Sequence, residues 1–525
     1  MTKSSEITRS RFSIQNLPGW VVAVLGTIVC GVLAISSLFS LANLQMENPA
    51  GKLPEQVVLA SRNFLHVLPV VIILSAALLF FMRQKISWKA AWIFTAVSAA
   101  VQVGLGLWWK ASFKSSPVAD QGTFWDVAKV LAGLQDPNDA FIDYLRYWPF
   151  QAAGGMAGEP FARLFHGNFG AWQIFNALCV GGCVVILCCI CGRTTGSARA
   201  KAGCAVLLTG FFPLAMYTTF IYGTLAGTMT SLLGIYAVIR ECTTSNKKIT
   251  LRWWIVGTLS LTLSITYYTG MQIFLVGAAL ILLATGLFHK DQRSKIPAAI
   301  AILILALGFH KIWQMIALHR LGMGNEPGCP ILPRVAMGVD AFTDVTPGFY
   351  NCLNAGFYYG SNFTPSVANQ NAAGYIMRSL HELWTTGRFW QFFYEKTADQ
   401  WLEPWFGGLT MNNPSIFDGP KWLASALTGG VLFGPIHAWL SMLLSVVYVW
   451  STVGVVALLS KRKHQVWHLS LVVCLIGGFL FQLMAEAKAR YCLPYFLCCF
   501  PLAAGGLSFT AQHLPVLHSK KRRAK

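Results

Sequence analysis

Apolar residues recur along this chain in runs of roughly 20, the length an α-helix needs to cross about 30 Å of hydrocarbon. Such runs lie at 20–41, 63–82, 89–109, 171–191, 203–220, 222–239, 253–267, 270–288, 296–317, 436–459, 469–485 and 491–510. The stretches 204–239 and 253–288 are too long for one crossing, and basic clusters bound each at both ends. Each is therefore read as a hairpin, turning near Tyr222-Gly223 and Tyr268-Thr269-Gly270. The pattern predicts an all-α polytopic membrane protein with about 12 transmembrane helices.

Two connections between the runs are long, 110–170 and 318–435. In the first, Ser116-Pro117-Val118-Ala119-Asp120-Gln121 leads into an amphipathic stretch over 124–134, and Tyr147-Trp148-Pro149-Phe150-Gln151 follows. Proline and aromatic residues there fold a loop back onto a membrane surface. In the second, aromatics at three- and four-residue spacing over 372–383 and 389–405 predict interfacial amphipathic helices. The chain thus divides into a tail 1–19, three helices within 20–109, a loop 110–170, six helices within 171–317, a loop 318–435, three helices within 436–510 and a basic tail 511–525. The first run is long for a signal core, and no small-x-small site follows it, so it reads as an uncleaved anchor.

Composition fits: 55% of the 525 residues are hydrophobic and only 11% charged, against about a quarter charged in soluble proteins. A formal charge of +20 would suggest a nucleic-acid partner in a soluble protein. Here Lys and Arg cluster between apolar runs and form no stripe interleaved with aromatics, so nucleic acid is not expected. Segments assigned to one side hold 24 basic and 3 acidic residues, and those on the other 15 and 17. The positive-inside rule then puts both termini in the cytoplasm and both long loops outside. Most of the 14 cysteines fall within apolar runs as small packing residues. Cys329 and Cys352 share the second outer loop, and an oxidising exterior predicts a disulfide between them.

Several motifs are similar to those of C-type (GT-C) glycosyltransferases, which include protein O-mannosyltransferases and lipid A aminoarabinose transferases. Asp120-Gln121 occupies the early outer loop where that superfamily carries its signature Asp. More specific is similarity to a bacterial, largely Gram-positive branch: the Tyr147 to Gln151 element, Tyr222-Gly223, Met337-Gly338 followed by Pro347-Gly348-Phe349-Tyr350, Phe392-Phe393-Tyr394-Glu395-Lys396, Gln400 to Pro404, and Arg490-Tyr491 with Pro494. This resemblance covers about 120–501. Two runs precede the helix leading into the Asp loop, where better-known members have none; two extra spans preserve sidedness.

The resemblance implies a GT-C-like fold and inverting transfer of a sugar from a polyprenyl-phosphate donor to a cell-envelope glycan, lipid or protein acceptor at the outer face of the cytoplasmic membrane. A hydroxyl attacking an anomeric carbon must lose its proton, and Asp120 is the candidate base. The departing phosphate needs cations at headgroup depth, for which Lys488 and Arg490 stand ready. Gln121, Tyr147, Gln151, Tyr222, Lys396, Trp401, Glu403 and Tyr491 are candidate substrate contacts, although an interfacial belt or helix pairing accounts for the aromatics, Lys396 and Glu403 as well. Glu326, Asp340 and Asp344 add acids to the second loop. Some relatives hold a divalent metal, but scattered oxygen ligands define no site, and none is assigned. The competing reading is a secondary transporter or lipid-linked glycan flippase. Against it stand the lack of repeat halves and the presence of one plausible mid-span charge, Lys311.

Overall fold

The structure, a computed structural model, describes residues 16–44, 57–343, 346–412, 415–459 and 465–514. The N-terminal charges, the Lys461-Arg462-Lys463 cluster, the basic tail and Asp344 lie outside the described residues. Among the described residues nine helices are long and apolar enough to cross a membrane: Leu17–Phe39, Phe64–Arg83, Trp88–Ser112, Gly170–Thr195, Lys247–Tyr267, Thr269–Phe288, Lys295–Arg320, Phe433–Leu459 and Val466–Met484. Two broken pairs bring the number to eleven if each is one span: Ala198–Thr209 with Pro213–Thr219, bent by 58°, and Ala489–Phe496 with Cys499–His513, bent by 43°. The molecule is thus a helical, multi-pass membrane protein.

The departures from the expected runs have local causes. At 203–220 the helix stops at Thr209 and restarts with Pro213 in its first turn, because proline has no N–H to continue the ladder. The run at 222–239 is a helix, Thr224–Cys242, yet it is not one of the nine. It carries Thr224, Thr228, Thr230 and Ser231, all buried. Thr228 and Thr230 donate their hydroxyls to the carbonyls of Thr224 and Ala226, each at 2.7 Å. Those two hydroxyls are satisfied by the helix's own carbonyls, and a helix with four buried hydroxyl side chains suits the bundle interior more than the lipid face.

One element was not foreseen. Ser40–Leu44 and Val57–Ser61 form a two-stranded antiparallel sheet pairing Ser40 with Ser61. It docks on the Phe389–Trp401 helix, where the Ala42 amide donates to the Leu402 carbonyl at 3.3 Å and Ser40 bonds to the Tyr394 hydroxyl. The two long connections meet at this same end. The first forms the helices Asp120–Leu131, Asp139–Tyr147 and Phe150–Leu164. The second forms Ile331–Gly338, Leu353–Gly360, Pro365–Thr385 and Phe389–Trp401. Glu159 joins the first to the end of Lys295–Arg320. It accepts from Arg163 at 2.8 Å and from Arg320 at 2.6 and 2.7 Å, while both guanidinia also donate to the Leu131 carbonyl. Those hydrogen bonds outweigh burial and hold the Glu159 carboxyl below its usual range. At the other end of the bundle a buried pair, Lys295 and Glu241 at 2.9 Å, ties two helix termini.

Helix packing relies on close approach, since lipid offers no hydrophobic drive between helices. One close backbone crossing joins Phe433–Leu459 to Cys499–His513. A Cβ on Gly454 would lie 2.0 Å from the Leu502 carbonyl oxygen, and one on Gly506 would lie 2.4 Å from that of Trp450. Gly506→Val should therefore push the pair apart and destabilise by about 1–3 kcal/mol, read as a lowered midpoint of thermal unfolding in detergent; an unchanged midpoint would show that the crossing yields freely.

Candidate functional site

The loop-bearing end encloses a cavity of about 470 Å³. Its walls come from segments far apart in sequence: the start of Asp120–Leu131, Tyr144, the Trp148–Gln151 turn, the two hairpin turns at Tyr222 and at Tyr268–Met271, Arg334, and the segment Ala485–Tyr491. Rings line much of it, including Trp148, Tyr222, Tyr268, Tyr350 and Tyr495.

Asp120 opens its helix at the cavity edge, with 42% of its side chain exposed. The preceding Ala119 has φ of 50° and ψ of −129°, a conformation that costs a residue with a Cβ about 1–3 kcal/mol. That turn swings the chain from the loop into the helix. Asp120 Oδ1 accepts from the Tyr144 hydroxyl at 2.8 Å, and Oδ2 faces Arg490 Nη2 at 3.7 Å. Behind Tyr144, Gln151 Nε2 donates to the Tyr144 hydroxyl at 3.4 Å and to that of Tyr222. Burial first, then the neighbouring Tyr222 and Asp120, push the Tyr144 phenol well above its ordinary value, so it stays a donor.

Opposite Asp120 stand three cations. Arg490 donates to the Tyr491 hydroxyl at 3.2 Å and lies over that ring. Lys488 pairs with Glu486 at 3.1 Å and faces the rings of Phe349 and Tyr350. Arg334 stacks over Trp148 and Phe150, its guanidinium carbon 4.9 and 5.2 Å from the ring centres. Glu486 also accepts from the Tyr491 hydroxyl at 3.4 Å. The cavity therefore holds two carboxylates and three cations at a loop-covered helix end. It can bind an anion and keep a carboxylate near it.

The structure brings Asp120, Gln121, Gln151, Tyr222, Lys488, Arg490 and Tyr491 together at this cavity. Gln121 is spent on the scaffold: its carbonyl accepts from the Ile221 amide at 2.9 Å and its amide donates to the Met411 carbonyl at 3.3 Å. Tyr147 turns away to pack against Tyr358 and Phe363, while its neighbours Tyr144 and Trp148 line the cavity. Trp401 is in the core against Phe479. Glu403 is fully buried, accepting from the amides of Trp405 at 2.9 Å and Gly407 at 2.7 Å. Lys396 is fully buried as well, bonded to two main-chain carbonyls. For Trp401, Glu403 and Lys396 the expectation of direct substrate contact gives way to roles in the scaffold. Tyr144, Arg334 and Glu486 were not singled out from the sequence. Tyr144 shares its short helix with Tyr147 three residues on, the one signal that pointed its way.

The expected disulfide is not formed. Cys329 is buried with its thiol 3.4 Å from the Asn354 carbonyl, Cys352 is exposed, and both are free. Cys352 adopts φ of 65° just before the Leu353–Gly360 helix. The described acids of the second loop do not gather at one point. Asp340 is engaged by Tyr375 at 2.6 Å, Asn351 at 2.7 Å and Thr343 at 3.1 Å, and Glu326 is not among the cavity-lining residues. Among the described residues no group of three His, Cys, Asp or Glu side chains gathers to hold an ion.

Two measurements check this layout. A maleimide added without reductant should modify Cys352 readily and Cys329 only on unfolding; protection of both until reduction would restore the disulfide. Burial pushes the Glu403 carboxyl up from 4.5 to about 7 against the pull of its two amide bonds. The folded chain thus keeps a proton there that the unfolded chain releases between those values, so this group's contribution to stability falls as pH rises from 4.5 to about 7. Glu403→Gln should be less stable overall and should lack that component when unfolding is compared at both ends of the window. No protein-family model, curated protein or solved structure matches the chain.

Proposed function

We propose that this chain is a membrane glycosyltransferase that moves a sugar from a polyprenyl-phosphate donor to a cell-envelope glycan, lipid or protein acceptor at the outer face of a bacterial cytoplasmic membrane. The observation carrying the reading is the meeting of a half-exposed Asp120 with Arg490, Lys488 and Arg334 in one cavity at a loop-covered helix end. In this mechanism the acceptor oxygen attacks the anomeric carbon while its proton passes to Asp120 Oδ2, and the bond from that carbon to the phosphate oxygen breaks. Tyr144 holds Oδ1 and so orients the carboxylate. The electron pair leaves on the phosphate, where guanidinium and ammonium groups stabilise the charge that develops. The apolar spans keep a lipid-borne donor beside the cavity, and the aromatic walls suit stacking on a sugar ring.

The test is transfer from radiolabelled polyprenyl-phosphate hexoses in reconstituted membranes. Asp120→Asn should lower transfer by about 10²–10⁴-fold with thermal unfolding unchanged. Transfer retained by the variant would remove Asp120 as the base, and label crossing the membrane without transfer would favour a carrier or flippase.

A further inference from the structure

Lys396 is the most deeply buried cation near the cavity, with no exposed surface, yet it is not one of the residues lining it. Among the described residues its ammonium has two hydrogen-bond partners, both main-chain carbonyls: Ala485 at 2.7 Å and Gly338. A buried ammonium without an anion in direct contact is expensive, and a methionine would fill the same space at less cost. Packing alone therefore does not account for a lysine here. Burial brings its pKa down to about 7 and the nearby Glu486 pulls the other way, so the group keeps donor hydrogens in either protonation state.

What those carbonyls hold is informative. Ala485 follows the last residue of Val466–Met484, and the chain from Ala485 to Lys488 has no helix or strand of its own before Ala489. This arm carries Glu486, Lys488 and Arg490 to the cavity. Its backbone is fixed from outside. The Ala487 amide donates to the Gly348 carbonyl at 2.7 Å, and in the helix end just before the arm the Gln482 carbonyl accepts from Gln400, one turn after Lys396, at 3.2 Å. At Gly338 the two backbones touch, for a Cβ there would lie 2.1 Å from the Met484 oxygen and 2.6 Å from that of Ala485. Lys396 bridges the same contact, so one side chain joins the Ile331–Gly338 helix, which bears Arg334, to the arm, which bears Lys488 and leads into Arg490.

We infer that Lys396 is a positioning residue: by tying the Gly338 and Ala485 carbonyls together it sets where Arg334, Lys488 and Arg490 stand relative to Asp120. The inference rests on the cavity being the transfer site, but its structural half is tested independently of activity. In the purified full chain, Lys396→Met should speed amide exchange over 485–491 by about tenfold or more, with exchange in 433–459 and 499–513 unchanged. Lys396→Gln, which keeps two neutral N–H donors, should fall between this variant and the wild type, and it serves where the methionine variant fails to fold. With radiolabelled polyprenyl-phosphate hexoses, Lys396→Met should lower kcat by about 10²-fold, as misplacement by an ångström does, with KM for the donor changing far less. Unchanged exchange over 485–491, or acceleration spread evenly over the chain, would overturn the inference. A wild type that transfers no hexose would instead remove the proposed function, while the exchange result would still decide the part played by Lys396.

Discussion

Asp120 and Arg490 approach to 3.7 Å, and most of the loop-bearing end can be understood as what it takes to hold them there. Neither sits within the middle of a regular helix. Asp120 follows a strained alanine at the first position of a short helix, and Arg490 stands just past a segment with no internal ladder. Each must be fixed by groups outside its own element. On one side Gln121 ties its helix to the Ile221 turn and Tyr144 takes one carboxylate oxygen. On the other, buried donors seize the carbonyls of Ala485 in the arm and of Gln482 in the helix end before it. The same requirement explains why so many polar side chains beside the cavity are themselves buried: irregular backbone next to hydrocarbon persists only when its N–H and C=O groups find partners.

This division of labour separates residues that look alike in sequence. Asp120 and Glu403 are both carboxylates of the two long connections. One has 42% of its side chain exposed, and the other is closed around two amides of its own loop. Lys396 and Lys488 are both lysines of the loop-bearing end, yet one grips carbonyls in the interior and the other faces Glu486 and two rings at the cavity.

The spans were legible because a run of roughly 20 apolar residues has few other uses. The Thr-rich helix at 224–242 and the bend before Pro213 blurred the count, since burial inside a bundle lets a helix carry hydroxyls and breaks that lipid would not permit. The Ser40–Ser61 hairpin was hidden because its short strands border apolar runs and gain their identity from docking on a helix hundreds of positions later. Asp120, Tyr222 and Arg490 were legible from their places beside the ends of apolar runs. Arg334 and Tyr144 were not, because what sets them apart is a neighbour supplied by the fold: two rings for the first, the Asp120 carboxylate for the second.

The Glu159 clamp bears on how the chain is made. Its nearer guanidinium, Arg163, is four residues away, but Arg320 lies 161 residues further along. During synthesis the 110–170 loop emerges with Glu159 held by Arg163 alone, while the intervening helices are threaded into the bilayer. Only when the far end of the Lys295–Arg320 helix arrives does this loop receive its second counter-charge. Maturation of the cavity is thereby coupled to the order of insertion, with the middle of the polypeptide acting as the latch on what came before it.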